Sequence, residues 1–385
     1  MTNVALIHFN HTERDGKVTW SDMGTTDARP NYGDMLVCAS LLEQLDPNVT
    51  TFRARFGRIV QQSHDVALVR GSTYLNHRFD FVKATATVES IDSPLAIIGL
   101  GAQSPTQDVT FLDDNQDAKR FIEVLAEKSV SISVRGDFTA QVVERLGGKN
   151  IRVTGCPSLF YSRRIPKVRR PMMLASHLRR IGVSLHTGLR QSMYCSDPEN
   201  ARAKHVMAMS YTIRNSAKPS FFEQGVKLEF DLADQRLRKE DRRAAADSVL
   251  ERLGGYGHLS EDELIAYMVS VRSIDEWLSK ARDLDAMIGF RFHGNMVALL
   301  QSIPCFYWVY DSRLREFCDL YKLPYQAVSD PWQDPVEAML NHDWDTANAA
   351  FRSCYGELLA CYEENGIPHS LPATDTLDAD APVRL

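Results

Sequence analysis

The stretch Ala286-Met287-Ile288-Gly289-Phe290-Arg291-Phe292-His293-Gly294-Asn295-Met296-Val297-Ala298-Leu299-Leu300, followed by Ile303-Pro304 and the run Cys305-Phe306-Tyr307-Trp308-Val309-Tyr310, decides the fold class. Two short apolar runs, Ala286–Phe290 and Cys305–Tyr310, bracket a helix that begins near His293. Strand, helix and strand in succession mean parallel strands joined by a crossover, the repeating unit of an open α/β sheet.

The same alternation continues outward from this unit. Toward the N-terminus, the runs Val4–Phe9, Val66–Val69, Leu95–Leu100, Val130–Val134 and Ile151–Thr154 predict strands, and residues 34–45, 112–127 and 137–146 carry helical spacing. Asp34 reads as the N-cap of the first helix. A charged, proline-interrupted segment, Arg163–Arg170, reads as a linker, the alternative being that some of its arginines face an anionic ligand, and after it strands are expected at Ile181–Leu185 and near Phe221–Phe230, with helices at 198–214, 232–252 and 260–269. The prediction is therefore two α/β units, 1–165 and 171–335. A terminal helical segment, 336–366, has an apolar face of Ala347, Phe351, Cys354, Tyr355, Leu358 and Tyr362 that is suited to packing back on the first unit. Residues 367–385 are acidic and poor in large apolar groups, which predicts a flexible tail.

Composition narrows the function classes. At roughly 150 residues per domain, 385 residues point to two or three domains. Hydrophobic residues at 44% and charged residues at 24% describe an ordinary globular chain. Lys plus Arg number 44 against 50 acidic residues, a formal charge of -6, which argues against a dedicated nucleic-acid binder because counterion displacement needs surplus positive charge. The basic cluster 236–243 is interleaved with Glu240 and Asp241 and reads as a solvated helix face. Seven cysteines with no C-x-x-C pair predict reduced thiols in a cytoplasm rather than a disulfide framework or a zinc site, and no metal is expected. No run approaches the roughly 20 apolar residues of a membrane span. Met1–Asn10 lacks a basic n-region and reads as a first strand rather than a signal peptide.

Three segments carry chemistry. Asn31-Tyr32-Gly33-Asp34 ends a polar loop and opens a helix; it is either a capped turn or a place where backbone N–H groups meet an anion or a sugar hydroxyl. Ser131-Ile132-Ser133-Val134-Arg135-Gly136-Asp137 is a strand ending in arginine just before a helix, and ligands of open α/β sheets gather beyond the carboxyl ends of the strands. In Arg291-Phe292-His293, period-two geometry would place Arg291 and His293 on one side and Phe292 on the other. A guanidinium binds phosphate or carboxylate bidentately and an imidazole moves a proton near neutral pH, whereas the bland alternative is a surface salt bridge beside a histidine satisfied by a carbonyl.

Taken in order, Asn31-Tyr32-Gly33-Asp34, Gly99-Leu100-Gly101-Ala102-Gln103, Ser133-Val134-Arg135-Gly136, Val153-Thr154-Gly155 and Arg291-Phe292-His293-Gly294 through Ile303-Pro304 resemble the polysaccharide pyruvyl transferases over residues 31 to 310. The resemblance implies two Rossmann-like domains facing across a cleft, as in the two-domain (GT-B) glycosyltransferase fold. It implies transfer of a pyruvyl group from phosphoenolpyruvate to two hydroxyls of a sugar, forming a cyclic ketal on a cell-surface polysaccharide or its lipid-linked precursor. On this match Arg135 and Arg291 are the donor-binding arginines and His293 the essential histidine, and Asn31, Gly33, Asp34, Arg70 and Ser72 fall at the substrate pocket. Two departures stand out: Arg70-Gly71-Ser72-Thr73 replaces a glycine-rich strand end, and Gly155-Cys156-Pro157 replaces Gly-Asp-Pro, which removes a carboxylate.

Phosphoenolpyruvate carries a carboxylate and a phosphate, so its site needs two cationic groups held apart, and Arg135 and Arg291 would close on it from the two halves. Phosphoenolpyruvate then serves as donor substrate with no cofactor, and the partner is a sugar or lipid-linked saccharide, reached peripherally if it lies at a membrane. The sequence sets no oligomeric state. Two competing readings are a nucleotide-sugar-dependent glycosyltransferase of the same architecture and a catalytically silent polysaccharide-assembly protein.

Overall fold

A computed structural model describes residues 2–9, 13–14, 17–18, 31–169, 180–254 and 259–376. Arg170 of the linker, residues 171–179 at the start of the second unit and residues 377–385 of the tail lie outside the described residues.

In the N-terminal half, Thr50–Ala54, Asn3–Ile7, Val66–Arg70 and Leu95–Ile98 pair in that order, all parallel. A bridge between Leu100 and Val134 carries the array on to Ile132–Val134 and Ile151–Val153, which also pair in parallel. Val66–Arg70 and Leu95–Ile98 are buried throughout, as strands covered by helices on both faces must be. Thr50–Ala54 had no signal in the apolar pattern because it is an edge strand with no fully buried residue. Chain order across the array reverses between Asn3–Ile7 and Val66–Arg70, and this switch opens a crevice at their carboxyl ends.

The C-terminal half is a six-stranded parallel sheet in the order Met268–Val269, Ser220–Phe222, Ile181–Ser184, Ala286–Gly289, Cys305–Val309, Tyr325–Ala327. Numbered along the chain this is 3-2-1-4-5-6, the doubly wound order, with its switch point between Ile181–Ser184 and Ala286–Gly289. The strand expected near 221–230 stops at Phe222. Gly225, at φ 81°, turns the chain, and residues Lys227–Ala233 form a helix instead.

The two halves are clasped by polar contacts. Gln103 Nε2 donates to Asp311 at 2.8 Å, Ser104 and Ser312 exchange hydrogen bonds, and Tyr194 donates its hydroxyl proton to Asn76 at 3.0 Å. Glu316 accepts from the backbone and hydroxyl of Thr139, and Tyr32 donates to Glu223 at 3.0 Å. The last long helix, Trp344–Glu364, lies against the N-terminal half: Arg152 pairs with Glu357 and Glu364, and Asn365 accepts from Val130 and Ser131. The residues that follow do not read as loose where they are described. Ile367 and Leu371 are buried, His369 bridges to Leu45, and Ser370 donates to the Gln44 carbonyl at 2.9 Å. Ile367 and Leu371 anchor this part of the chain although the composition around them is polar.

Candidate functional site

The site forms where both switch points face each other. The first helix starts at Tyr32, and its N-cap is Asn31, whose side-chain oxygen accepts from the N–H groups of Gly33 and Asp34. Asp34 is therefore not the cap expected from the sequence. Freed from capping, its carboxylate takes Arg70 Nη1 at 2.9 Å and the Ser72 hydroxyl at 3.1 Å. Arg70 ends its strand buried, with Nε donating to the His8 carbonyl at 2.9 Å. Burial pushes the Asp34 carboxyl upward, but Arg70, Arg135 and His293 together hold it below the ordinary aspartate value. Burial likewise drives His8 down, to about 4, with Arg70 adding to the effect.

Arg135 follows the strand Ile132–Val134. Its side chain is cradled by glycines: Nε donates to the Gly99 carbonyl at 2.9 Å, Nη2 reaches the Gly71 carbonyl at 3.4 Å, and a Cβ at Gly101 would lie 2.9 Å from its Cδ. The residue is 6% exposed, and among the described residues no carboxylate comes within ion-pair distance of it. A buried guanidinium satisfied only by carbonyl oxygens keeps its charge for an anionic ligand.

His293 does not lie on a strand. The helix Phe292–Leu299 begins one residue after Arg291, its N-cap, so period-two geometry fails and the two side chains part company. The imidazole goes to the N-terminal half. Its Nδ1 edge packs on Gly33, where a Cβ would lie 2.3 Å from Nδ1, and its Nε2 is 3.7 Å from Cys156 Sγ. Burial lowers its pKa well below the usual histidine value, and Arg135, Arg313 and Arg70 push the same way against Asp34. Arg291 stays within its own half, with Nε donating to the Leu185 carbonyl and Nη2 3.4 Å from Glu229. The structure thus brings Asn31, Gly33, Asp34, Arg70, Ser72, Arg135 and His293 together, with Arg291 at the second switch point beside them rather than in contact.

Arg313 lies between the two groups and was missed in the sequence. It donates to the Tyr310 hydroxyl at 3.0 Å and sits 3.5 Å from Asp311, and its charge bears on both His186 and His293. Its Nε is buried with no hydrogen-bond partner. Its sequence signal was weaker than that of Arg135: Arg135 directly follows its strand, whereas Arg313 stands on the first turn of the helix Ser312–Leu320, which the chain enters after the strand Cys305–Val309. All seven cysteines are buried and none is in a disulfide, and among the described residues no His, Cys, Asp and Glu cluster could hold a metal. No helix among them is long and apolar enough to cross a membrane. A separate cavity of about 510 Å³, lined by Arg180, Lys218, Phe222, Arg272 and Lys280, lies at the far edge of the second sheet, away from these groups.

A family model described as polysaccharide pyruvyl transferase matches residues 31–312. No curated protein matches the sequence. Among solved structures, a UDP-N-acetylglucosamine 2-epimerase is similar at 10% identity and TM-score 0.46, with 94% of this chain and 96% of that one covered. Anabaena Alr3699/HepE in complex with UDP and glucose follows at 7% identity and TM-score 0.43, covering 94% and 95%. S. aureus MnaA with UDP follows at 8% identity and TM-score 0.41, covering 88% and 86%. At these scores the likenesses add nothing to the strand order already described.

Proposed function

The chain belongs to the polysaccharide pyruvyl transferase family, and from that premise we propose that it moves the pyruvyl group of phosphoenolpyruvate onto two hydroxyls of a sugar, closing a cyclic ketal. The observation that carries this reading is Arg135, a buried cation with no carboxylate partner among the described residues, set opposite a histidine. Its free capacity suits the phosphate or carboxylate of the donor, and Arg313 and Arg291 offer further positive charge on the facing half. Asp34 is held as a carboxylate by Arg70 and can accept a hydrogen bond from an acceptor hydroxyl.

The chemistry requires a proton on the methylene carbon of the donor, which makes C2 electrophilic. One sugar hydroxyl bonds C2, phosphate leaves, and the second hydroxyl closes the ring. Of the two hydroxyl protons, one ends on the new methyl group and the other on phosphate, so the reaction balances without a cofactor. His293 is the proton carrier in this scheme. The acceptor is a saccharide of a cell-surface polysaccharide or its precursor, and we place the reaction in the cytoplasm, where phosphoenolpyruvate is available.

Titration of phosphoenolpyruvate against the melting temperature tests this reading, because a ligand selective for the native state stabilises it with the logarithm of its concentration. Arg135→Lys should weaken binding about ten- to hundredfold, the worth of one charge-assisted bidentate contact of roughly 1.5–3 kcal/mol. Stabilisation by uridine or guanosine diphosphate sugars, with none by phosphoenolpyruvate, would replace this reading with glycosyl transfer.

A further inference from the structure

A histidine that is denied its charge is a poor acid on its own. Neutral imidazole releases its remaining proton only if its other nitrogen gains one at the same time, and the surroundings of His293 disfavour the imidazolium. Arg135 from the first sheet, Arg70 from the strand before it and Arg313 from the helix Ser312–Leu320 all bear on the ring, and Asp34, already committed to Arg70, is the one carboxylate among the groups that bear most strongly on it. The titratable group that touches the ring is a thiol: Cys156 Sγ lies 3.7 Å from Nε2. Nδ1, on the opposite edge, has no hydrogen-bond partner among the described residues and rests on Gly33 at the mouth of the first helix.

The thiol itself is placed with care. Tyr321 accepts the Cys156 N–H at 2.9 Å and so pins the backbone, and its hydroxyl fills the space a Cβ at Gly155 would need. The Ser158 hydroxyl is 2.9 Å from Sγ and also reaches Met296 Sδ at 3.0 Å, so it can turn between the two sulfurs. Cys156 is fully buried, which reserves the sulfur for the ring and for Ser158.

We propose that Cys156 is a positioning residue that fixes His293 as the Nδ1–H tautomer and backs its proton delivery: as Nδ1 gives its proton to the donor, Sγ–H passes its proton to Nε2. The ring stays neutral throughout and the charge appears on sulfur, where the Ser158 hydroxyl turns to donate. When the acceptor hydroxyl is deprotonated, its proton enters at Nδ1, Nε2 returns one to sulfur, and the resting pair is restored. No oxidant or further reactant is consumed. Which nitrogen of a histidine carries the proton is set by what its other nitrogen meets, and here that neighbour is a weak S–H donor. The inference rests on the proposed transfer reaction for its catalytic part and on the observed contact alone for its tautomer.

Nitrogen-15 NMR of the imidazole and steady-state kinetics, run on wild type, Cys156→Ala and Cys156→Asp, separate the two parts. The spectrum should show a protonated Nδ1 and a bare Nε2 in wild type, with that preference lost in Cys156→Ala. Cys156→Ala should lower turnover at least tenfold while the dissociation constant for phosphoenolpyruvate and the melting temperature change little. Cys156→Asp should restore much of the turnover. Its carboxylate also stabilises the imidazolium, so its pH–rate profile should move to higher pH, a displacement that reports the contact between position 156 and the ring. An Nε2–H ring in wild type, or a tautomer unaffected by Cys156→Ala, overturns the proposal whether or not the protein makes ketals. Wild-type turnover in Cys156→Ala overturns its catalytic part. Absence of any ketal from wild type counts against the transfer reaction alone and leaves the spectrum to decide the tautomer.

Discussion

Gly33→Ala isolates the placement of His293 from every other property of the site. Gly33 is the second residue of the helix Tyr32–Gln44, and a Cβ added there would stand 2.3 Å from Nδ1, 2.9 Å from Cγ and 3.1 Å from Cε1 of His293. Unstrained carbon–nitrogen contact needs about 3.5 Å, so the ring must retreat by roughly 1 Å. A misplacement of that size costs on the order of a hundredfold in rate. Folding should survive the change. Alanine gains up to about 1 kcal/mol of helix propensity over glycine, against about 1–3 kcal/mol for the overpacked contact. The balance lies between about zero and a net loss of about 2 kcal/mol. Donor affinity should stay near wild type because Arg135 is held by Gly71 and Gly99 and does not touch Gly33. The assay is phosphate release and ketal formation on one preparation, with melting temperature and phosphoenolpyruvate binding measured alongside. Turnover within threefold of wild type in a folded Gly33→Ala protein would show that His293 need not sit where the structure places it, and would refute its role.

His293→Gln keeps a hydrogen-bond donor but shuttles no proton, so turnover should fall by about a hundredfold or more with donor binding preserved; activity near wild type would remove His293 from the proton path. Glu316 gives a pH test. Burial raises its pKa from 4.5 to about 7, against the hydrogen bonds from Thr139 that favour the ionised form, so between those pH values the native protein holds a proton that the unfolded chain has released. Stability should therefore fall as pH rises from about 4.5 to about 7, and Glu316→Gln should flatten that slope in urea titrations. Glu223, also raised to about 7 chiefly by burial, shapes the same window, so the double variant should flatten it further. An unchanged slope in the double variant would show that neither carboxyl is protonated in the native state.

What the sequence made legible follows from what a linear pattern can encode. Buried parallel strands announce themselves as continuous apolar runs, which is why Leu95–Ile98, Ala286–Gly289 and Cys305–Val309 were readable and the edge strand Thr50–Ala54 was not. Position at a strand's carboxyl end found Arg135, and Arg313 escaped that rule because it stands beyond the strand Cys305–Val309, on the first turn of the helix Ser312–Leu320. The partners of those residues were out of reach, because they are set by the docking of two halves. Asp34 reads as a cap until Arg70, 36 positions away, draws its carboxylate elsewhere. Arg291 and His293 read as a pair until the helix starts between them and sends one to Glu229 and the other to Gly33 and Cys156. The glycines show the same limit from the other side. Gly33, Gly99 and Gly101 read locally as turn residues, yet each stands where a side chain would collide with His293, Pro157 or Arg135. Gly33 lets the imidazole of the second half close on the first, while Gly99 and Gly101 make room within the first half for Pro157 and the Arg135 side chain, so that one cation and one imidazole, contributed by different sheets, share a single cleft.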